Sequence, residues 1–184
     1  AGHTDIVVAD DMEDGKKILN LSDLNIRDVL NWRNLLGFLD SLKPEETPEC
    51  IFHQGAISAT TEWDGNRLLE HNYEFSKELL HWCLKKKTPL IYASSASVYG
   101  NNTTFSELRQ NEAPINAYAY SKFQFDQYVR ALDFDGKLTS QVVGLRYFNV
   151  YGPREGHKGT MASTVYHFNN QIKENGVAKL FTGS

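Results

Sequence analysis

Short, continuous apolar runs recur along the chain, and stretches of helical periodicity separate them. Ile6-Val7-Val8-Ala9, Cys50-Ile51-Phe52-His53, Leu90-Ile91-Tyr92-Ala93 and the segment Gln141 to Leu145 are runs, not alternations. That is the pattern of strands in a parallel sheet covered on both faces. Ile18-Leu19 and Lys179-Leu180-Phe181 are weaker strand candidates. From Asp28 to Leu42, Val29, Leu30, Leu35, Leu36 and Leu39 form a stripe that predicts an amphipathic helix. Leu68 to Lys86 predicts a long helix running into Lys85, Lys86 and Lys87, cations suited to a helix C-terminus. Tyr118 to Leu132 and Thr160 to Glu174 predict two further helices. Pro44 and Pro48 bracket a loop, Asn101 to Pro114 is a polar loop, and Gly152-Pro153 breaks the chain.

Strands therefore alternate with helices through most of the chain, the signature of a doubly wound, Rossmann-type α/β fold with a parallel sheet. The chain opens on Ala1 and moves at once into an apolar strand. It stops at Gly183-Ser184, just after another apparent strand. The expectation is a sheet incomplete at both ends, in a piece of a longer protein.

Composition narrows the function classes. The 184 residues are 41% hydrophobic and 23% charged, ordinary globular proportions that allow one domain with a real core. A net charge of −4 argues against nucleic acid or an anionic membrane as the main partner. No apolar run approaches the roughly 20 residues of a membrane span. Cys50 and Cys83 form no CxxC motif and have no ligand-type neighbours, so each reads as a reduced thiol, in keeping with a cytoplasmic location. His157 and His167 are spaced unlike any metal motif, and no metal is expected.

Ligands of open parallel sheets bind at the carboxyl ends of the strands. Those ends carry Asp10-Asp11, Gln54-Gly55-Ala56, Ser94-Ser95 and Arg146-Tyr147-Phe148-Asn149. Asp10 stands where a carboxylate can accept from an adenosine ribose, although taken alone it reads first as a helix or turn cap. Lys17, seven residues on, could meet a 2′-phosphate or simply be exposed. The sharper signal is Tyr118-Ala119-Tyr120-Ser121-Lys122. At i and i+4 on a helix the phenol and the ammonium share a face. A nearby ammonium favours phenolate, which lets a tyrosine exchange protons near neutrality. Hydride transfer at an alcohol needs such a partner, because a proton must leave as well. Tyr73 and Lys77 satisfy the same spacing. Context separates them: Tyr118 lies 23 residues after Ser95 at a strand end, whereas Tyr73 sits mid-helix, where an amphipathic surface role fits.

The strand ending in Ser94-Ser95, the Tyr118–Lys122 motif and RYFNVYGP (146–153) together resemble the extended short-chain dehydrogenase/reductases that act on nucleotide sugars. HQGAISATTEWDG (53–65), NYEFSKELLHWCL (72–84), YASSASVYG (92–100) and above all RYFNVYGPREGHKGTMAS (146–163) are similar to the ADP-L-glycero-D-manno-heptose 6-epimerase family. GPREGHKG is the most specific stretch, and the resemblance runs essentially end to end. It implies a bacterial enzyme with tightly held NADP, or alternatively NAD. Such an enzyme inverts C6″ of an ADP-sugar for the lipopolysaccharide inner core and works as a homo-oligomer. It implies Tyr118 and Lys158 as the two acid/base groups, Ser95 as the hydrogen-bond partner of the reacting oxygen, and Lys122 as the holder of Tyr118 and the nicotinamide ribose. Asp10, Asp11, Lys17, Gln54, Gly55, Ala56, Ile57, Ser58, His71 or Asn72, and Val150 are expected on the cofactor. Asn149, Thr160, His167, Phe181, Thr182, Gly183 and Ser184 are expected on the sugar nucleotide. On its own, Lys158 between Gly156 and Gly159 reads as a lysine of a flexible, solvated loop.

The resemblance divides the chain into a cofactor-binding Rossmann domain over residues 1–150, lacking its first βα unit with the Gly-rich turn, and the start of the sugar-nucleotide region over 151–184. Gln54 and Ile57 depart from the family pattern. A neighbouring nucleotide-sugar 4-epimerase or 4,6-dehydratase is the nearest rival. The dehydratase is disfavoured because Ala96-Ser97, not an acidic residue, follows Ser95. A non-catalytic Rossmann-type binding subunit is the rival from another class.

Overall fold

The structure is a computed structural model, and it describes residues 2–180. Five strands and five α-helices alternate along it: β1 (Val7–Asp10), β2 (Asp28–Asn31), α1 (Leu35–Ser41), β3 (Ile51–His53), α2 (Gly65–Leu68), α3 (Phe75–Lys86), β4 (Leu90–Ser95), α4 (Ala117–Phe134), β5 (Val142–Tyr147) and α5 (Thr164–Asn175). β1 and β2 form a two-stranded sheet, and β3-β4-β5 a three-stranded one. The latter is wholly parallel, with Ile51 opposite Leu90 and Leu90 opposite Val142. The expected Rossmann-type α/β architecture with parallel strands is what the chain adopts.

Two compact units make up the described chain. One runs from Leu30 to Phe148; the other joins the residues through Val29 to those from Asn149 onward. In the Leu30–Phe148 unit, Leu79, Leu80, Cys83 and Leu84 of α3 and Phe125 of α4 pack on Leu90 and Tyr92 of β4. Fully burying such side chains stabilises the fold by roughly 1.5–3 kcal/mol each. Phe52, on the other side of the sheet edge, remains 67% exposed.

Local chemistry sets the element ends. The Asn116 side chain accepts from the Ala119 N–H at 2.7 Å and starts α4. The Asp64 carboxylate accepts from the Arg67 N–H at 3.0 Å and starts α2 three residues before the helix expected from Leu68. Helices α2 and α3 are joined without a break by a π-helical turn over Leu69–Glu74, where the Phe75 N–H reaches back to Glu70. The expected helix over Asp28–Leu42 is instead a strand followed by a shorter helix. The Asn31 side chain accepts from the Arg33 N–H at 3.0 Å, starts a 3-10 turn, and so separates Val29 and Leu30 from the leucines of α1. Ile18-Leu19 is not a strand: both lie exposed in a 3-10 turn, Gly15–Asn20, capped by Asp14. Thr160 to Met161 also forms 3-10 turn, and α5 begins only after the Ser163 cap. Lys179 and Leu180 carry no strand, and Phe181 lies outside the described residues.

Two glycines allow close approaches beside β4. A Cβ at Gly144 would come within 2.4 Å of the Tyr92 ring and hydroxyl, so the absent side chain leaves room for Tyr92 to lie across β5. Gly100 has φ +59°, and a Cβ there would stand 1.9 Å from the Ala113 carbonyl oxygen. With the Ala113 N–H on the Val98 carbonyl at 3.0 Å, this pinches the neck of the loop that follows β4. Among the described residues no helix is long and apolar enough to cross a membrane.

Candidate functional site

In the Leu30–Phe148 unit, the carboxyl ends of β3 and β4 and the first turns of α4 bring several of the expected residues together. Ser95 ends β4. Its hydroxyl oxygen accepts from the Ser97 N–H at 3.2 Å and from the Ser97 hydroxyl at 2.8 Å. Both acceptances leave the Ser95 proton free to be donated elsewhere. Tyr118 is half-buried in the first turn of α4. Lys122, one turn on, is only 5% exposed and donates to the Ala93 carbonyl at 2.8 Å, two residues before Ser95. An ammonium has three protons, so two remain for the Tyr118 side of the helix and for a ligand hydroxyl. Burial draws the Lys122 ammonium down to about 8, against the pull of Asp126.

The turn after β3 is tied to the same helix. Asn72, fully buried in the π-helical turn, takes the Ile57 N–H on its Oδ1 at 2.9 Å and donates its Nδ2 to the Ile57 carbonyl at 2.9 Å. Its Nδ2 also donates to the Ser121 hydroxyl at 3.1 Å, and Ser121 donates to the Tyr118 carbonyl at 2.7 Å. Asn72 is thus saturated by protein and holds the turn in place, while Gln54, Gly55, Ala56 and Ser58 stay exposed. A side chain at Gly55 would meet nothing within 4 Å, which is open space for a flat ligand over the strand ends. His71 is half-buried, its Nδ1 2.9 Å from the Arg67 carbonyl and its ring 5.0 Å from that of Trp32. His53, at the end of β3, is buried beside Ser76, whose hydroxyl donates to the Asn72 carbonyl at 2.8 Å. Ser76 therefore accepts from His53 Nε2–H.

The second Tyr-x-x-x-Lys pair is built differently. Lys77 lies over the Tyr73 ring at 4.4 Å and pairs with Glu74 at 2.7 Å. Its charge sits on the π face and a neighbouring carboxylate, not at a phenol in a cleft.

The structure adds a buried charge network that the sequence reading missed. Asp126 accepts from the Tyr92 hydroxyl at 3.0 Å and the Ser94 hydroxyl at 2.8 Å, with Arg146 at 3.4 Å. Arg146 also pairs with Glu112, whose carboxylate is closed off from solvent by Arg130 at 2.5 Å and Gln127 at 3.1 Å. Burial pushes the Glu112 carboxyl up, but the Arg130 and Arg146 guanidiniums outweigh it and hold it below the usual carboxylate range. Burial pushes Asp126 up. The signal available in sequence was Asp126 at i+4 from Lys122, an acid directly after the buried Phe125.

In the other unit, Asp10 at the end of β1 takes the Asp11 N–H at 2.7 Å and the Lys17 ammonium at 3.2 Å. Lys17 also donates to the Asp11 carbonyl. Asp10, Asp11 and Lys17 thus form one cluster. Asn149 and Val150 are exposed. Glu155 is buried and accepts from the Gly152 N–H at 2.7 Å and from the Ser163 N–H and hydroxyl at 2.7 and 3.0 Å, closing the loop that carries Lys158. Lys158 is exposed in that loop, its N–H on the Glu155 carbonyl. Thr160 and His167 line one groove of about 490 Å³ with Thr164, Phe168, Gln171, Lys179 and Leu180. Phe181, Thr182, Gly183 and Ser184 lie outside the described residues.

Comparison with known proteins places these features in context. The family model described as NAD dependent epimerase/dehydratase matches residues 1–184. Among solved structures, the ADP-L-glycero-D-manno-heptose-6-epimerase of Helicobacter pylori is similar at 29% identity and TM-score 0.70, covering 98% of this chain and 66% of its own. A UDP-N-acetylglucosamine 4-epimerase of Methanobrevibacter ruminantium, in complex with UDP-N-acetylmuramic acid, gives 24% identity and TM-score 0.73 over 97% of this chain and 57% of its own. The Bordetella bronchiseptica enzyme WbmG, in complex with NAD, gives 22% and 0.72 over 98% and 54%. The last two likenesses concern the fold alone. The chain spans between 54 and 66% of the length of these three structures.

Proposed function

The chain belongs to the NAD dependent epimerase/dehydratase family, and from that premise we propose that the protein epimerises a nucleotide sugar, with ADP-D-glycero-D-manno-heptose as substrate and C6″ as the inverted centre. The L-glycero product would serve the lipopolysaccharide inner core. The observation that carries the reading is the buried Lys122 ammonium, anchored on Ala93 beside Ser95 and one turn from the half-buried phenol of Tyr118. The choice of sugar is supported by the GPREGHKG stretch and by the likeness to the H. pylori enzyme.

A nicotinamide dinucleotide, when bound, would take a hydride from the sugar carbon and return it to the opposite face. The two unused protons of Lys122 suit its ribose, and the exposed backbone of Gln54 to Ser58, held by Asn72, suits its passage over the strand ends. Asp10 and Lys17 would meet the adenosine ribose; the ammonium favours NADP, with NAD as the alternative. Tyr118 would take the hydroxyl proton as the sugar alcohol becomes an aldehyde, with Ser95 donating its free proton to the same oxygen. Epimerisation needs a second base for the other epimer, and Lys158 is assigned that part from its sequence context. Thr160 and His167 would bind the sugar nucleotide.

The test uses the full-length protein with ADP-D-glycero-D-manno-heptose and, separately, UDP-glucose and UDP-N-acetylglucosamine. The expected result is a mixture of C6″ epimers by NMR, no net build-up of reduced nicotinamide, and untouched UDP-sugars. Turnover of a UDP-sugar with no reaction of the ADP-sugar would establish the 4-epimerase reading instead.

A further inference from the structure

One turn beyond Lys122, α4 carries a second buried charge. Lys122 and Asp126 are each 5% exposed and, at i and i+4, lie on one face of the helix. Together they grip three successive residues of β4. Tyr92 donates to Asp126 Oδ1 at 3.0 Å, Lys122 donates to the Ala93 carbonyl at 2.8 Å, and Ser94 donates to Asp126 Oδ2 at 2.8 Å. The next residue is Ser95. Tyr92 reaches Asp126 across β5 only because Gly144, its partner in the ladder, has no side chain. Arg146 of β5 faces the same carboxylate, and Arg146 and Arg130 close on Glu112 from the loop after β4.

We propose that Asp126 is a positioning residue, whose carboxylate registers the Ser95 end of β4 against the Tyr118–Lys122 face of α4 and balances the Lys122 ammonium. The proposal rests on the roles given above to Ser95, Tyr118 and Lys122, but not on the identity of the sugar.

A carboxylate is a costly way to fill this place. A buried acid resists ionisation, and a packed apolar side chain would meet no such penalty. Asp126 does what an apolar residue cannot: it orients two hydroxyls on β4 and sets a negative charge one helical turn from a buried ammonium. Among the described residues, the other titratable groups near Lys122 are Tyr118 at i−4 on α4 and His53 on β3, which burial and then the Lys122 charge hold neutral down to about 4, with Tyr92 of β4 bonded to Asp126. Arg130, Arg146 and Glu112 act behind Asp126. Asp126 is the group that opposes the loss of charge by Lys122. Without it, Lys122 gives up its proton at lower pH, and the phenol of Tyr118 loses its cationic neighbour with it.

The experiment uses the full-length protein, its Asp126→Asn variant and a Tyr92→Phe/Ser94→Ala double variant. The Lys122 titration is followed by the 13C shift of lysine side chains, assigned with Lys122→Met. Asp126→Asn should move the Lys122 midpoint down by about one pH unit, a tenfold loss of proton affinity, and the alkaline limb of kcat should move with it. The double variant keeps the charge but frees β4. It should leave the midpoint in place while lowering kcat on the order of 10- to 100-fold, with KM changed far less. A folded Asp126→Asn protein with an unmoved midpoint overturns the charge-balancing half. A double variant with parental kcat overturns the registering half; should Asp126→Asn not fold, Asp126→Ser reads the charge-balancing half by the same titration. Should the parent turn over no nucleotide sugar, the functional reading fails, while the Lys122 titration still decides whether Asp126 balances its charge.

Discussion

Asn72 holds Ile57 by both sides of its peptide group, accepting its N–H and donating to its carbonyl, each at 2.9 Å. A third bond runs from Asn72 to Ser121, so one side chain ties the turn after β3 to the helix of Tyr118. Asn72→Ala removes three hydrogen bonds and is expected to cost roughly 2–3 kcal/mol, at about 1 kcal/mol for each. Urea denaturation measures the loss. Amide exchange should quicken first over residues 54–58, and a uniform quickening across the domain would contradict the local role.

Tyr118 and Tyr73 share a motif but not a setting. Tyr118→Phe should lower kcat by about 10²–10⁴-fold with the melting temperature little changed. Tyr73→Phe, whose ring keeps its contact with Lys77, should leave kcat within about twofold of the parent, because the change removes no proton donor from the strand ends. Equal losses in the two variants would remove the distinction.

His53 makes stability depend on pH. Burial, and then the Lys122 charge, lower the folded imidazole from 6.5 to about 4. Below pH 6.5 the unfolded chain takes up a proton that the folded chain refuses. The stabilising contribution is thus complete above 6.5, falls as pH drops to about 4, and is level below that. The whole loss amounts to about 3 kcal/mol. Urea midpoints across this range should fall less steeply in His53→Gln than in the parent.

Lys17 and Asp10 test the nucleotide preference. Their pair at 3.2 Å is partly exposed, so its own contribution to stability is small. Lys17→Ala should weaken NADP relative to NAD by on the order of tenfold, since it removes the cation expected on the 2′-phosphate. Direct titration of both nucleotides into the full-length protein reads this ratio. An unchanged ratio would show that Lys17 serves only Asp10 and the Asp11 carbonyl.

The parts of the fold legible in sequence are those where one signal dominates. The apolar runs at Ile51, Leu90 and Val142 are strands because the core demands them. β2 was hidden because Val29 and Leu30 continue, in helical spacing, into the leucines of α1, and only the Asn31 cap separates them. The π-helical turn was hidden too, since it is a matter of which carbonyl the Phe75 N–H selects. Within the candidate site, Ser95, Tyr118 and Lys122 were readable as residue types at strand and helix ends. Asp126 carried only its i+4 spacing from Lys122 and Glu112 no local signal at all, because their partners lie on β4, β5 and α4, at separations far along the chain.

The pinched neck at Gly100 and Ala113 has a consequence for how such a protein can diversify. Between the neck and the Glu112 anchor, the stretch around Asn101 to Thr104 is exposed on all four residues. Insertions there are expected to be absorbed at the tip, because the closed neck keeps their strain from reaching Ser95. The loop behaves as a cassette beside a fixed frame: a lineage can rewrite what the tip touches without having to solve the chemistry of the strand ends again.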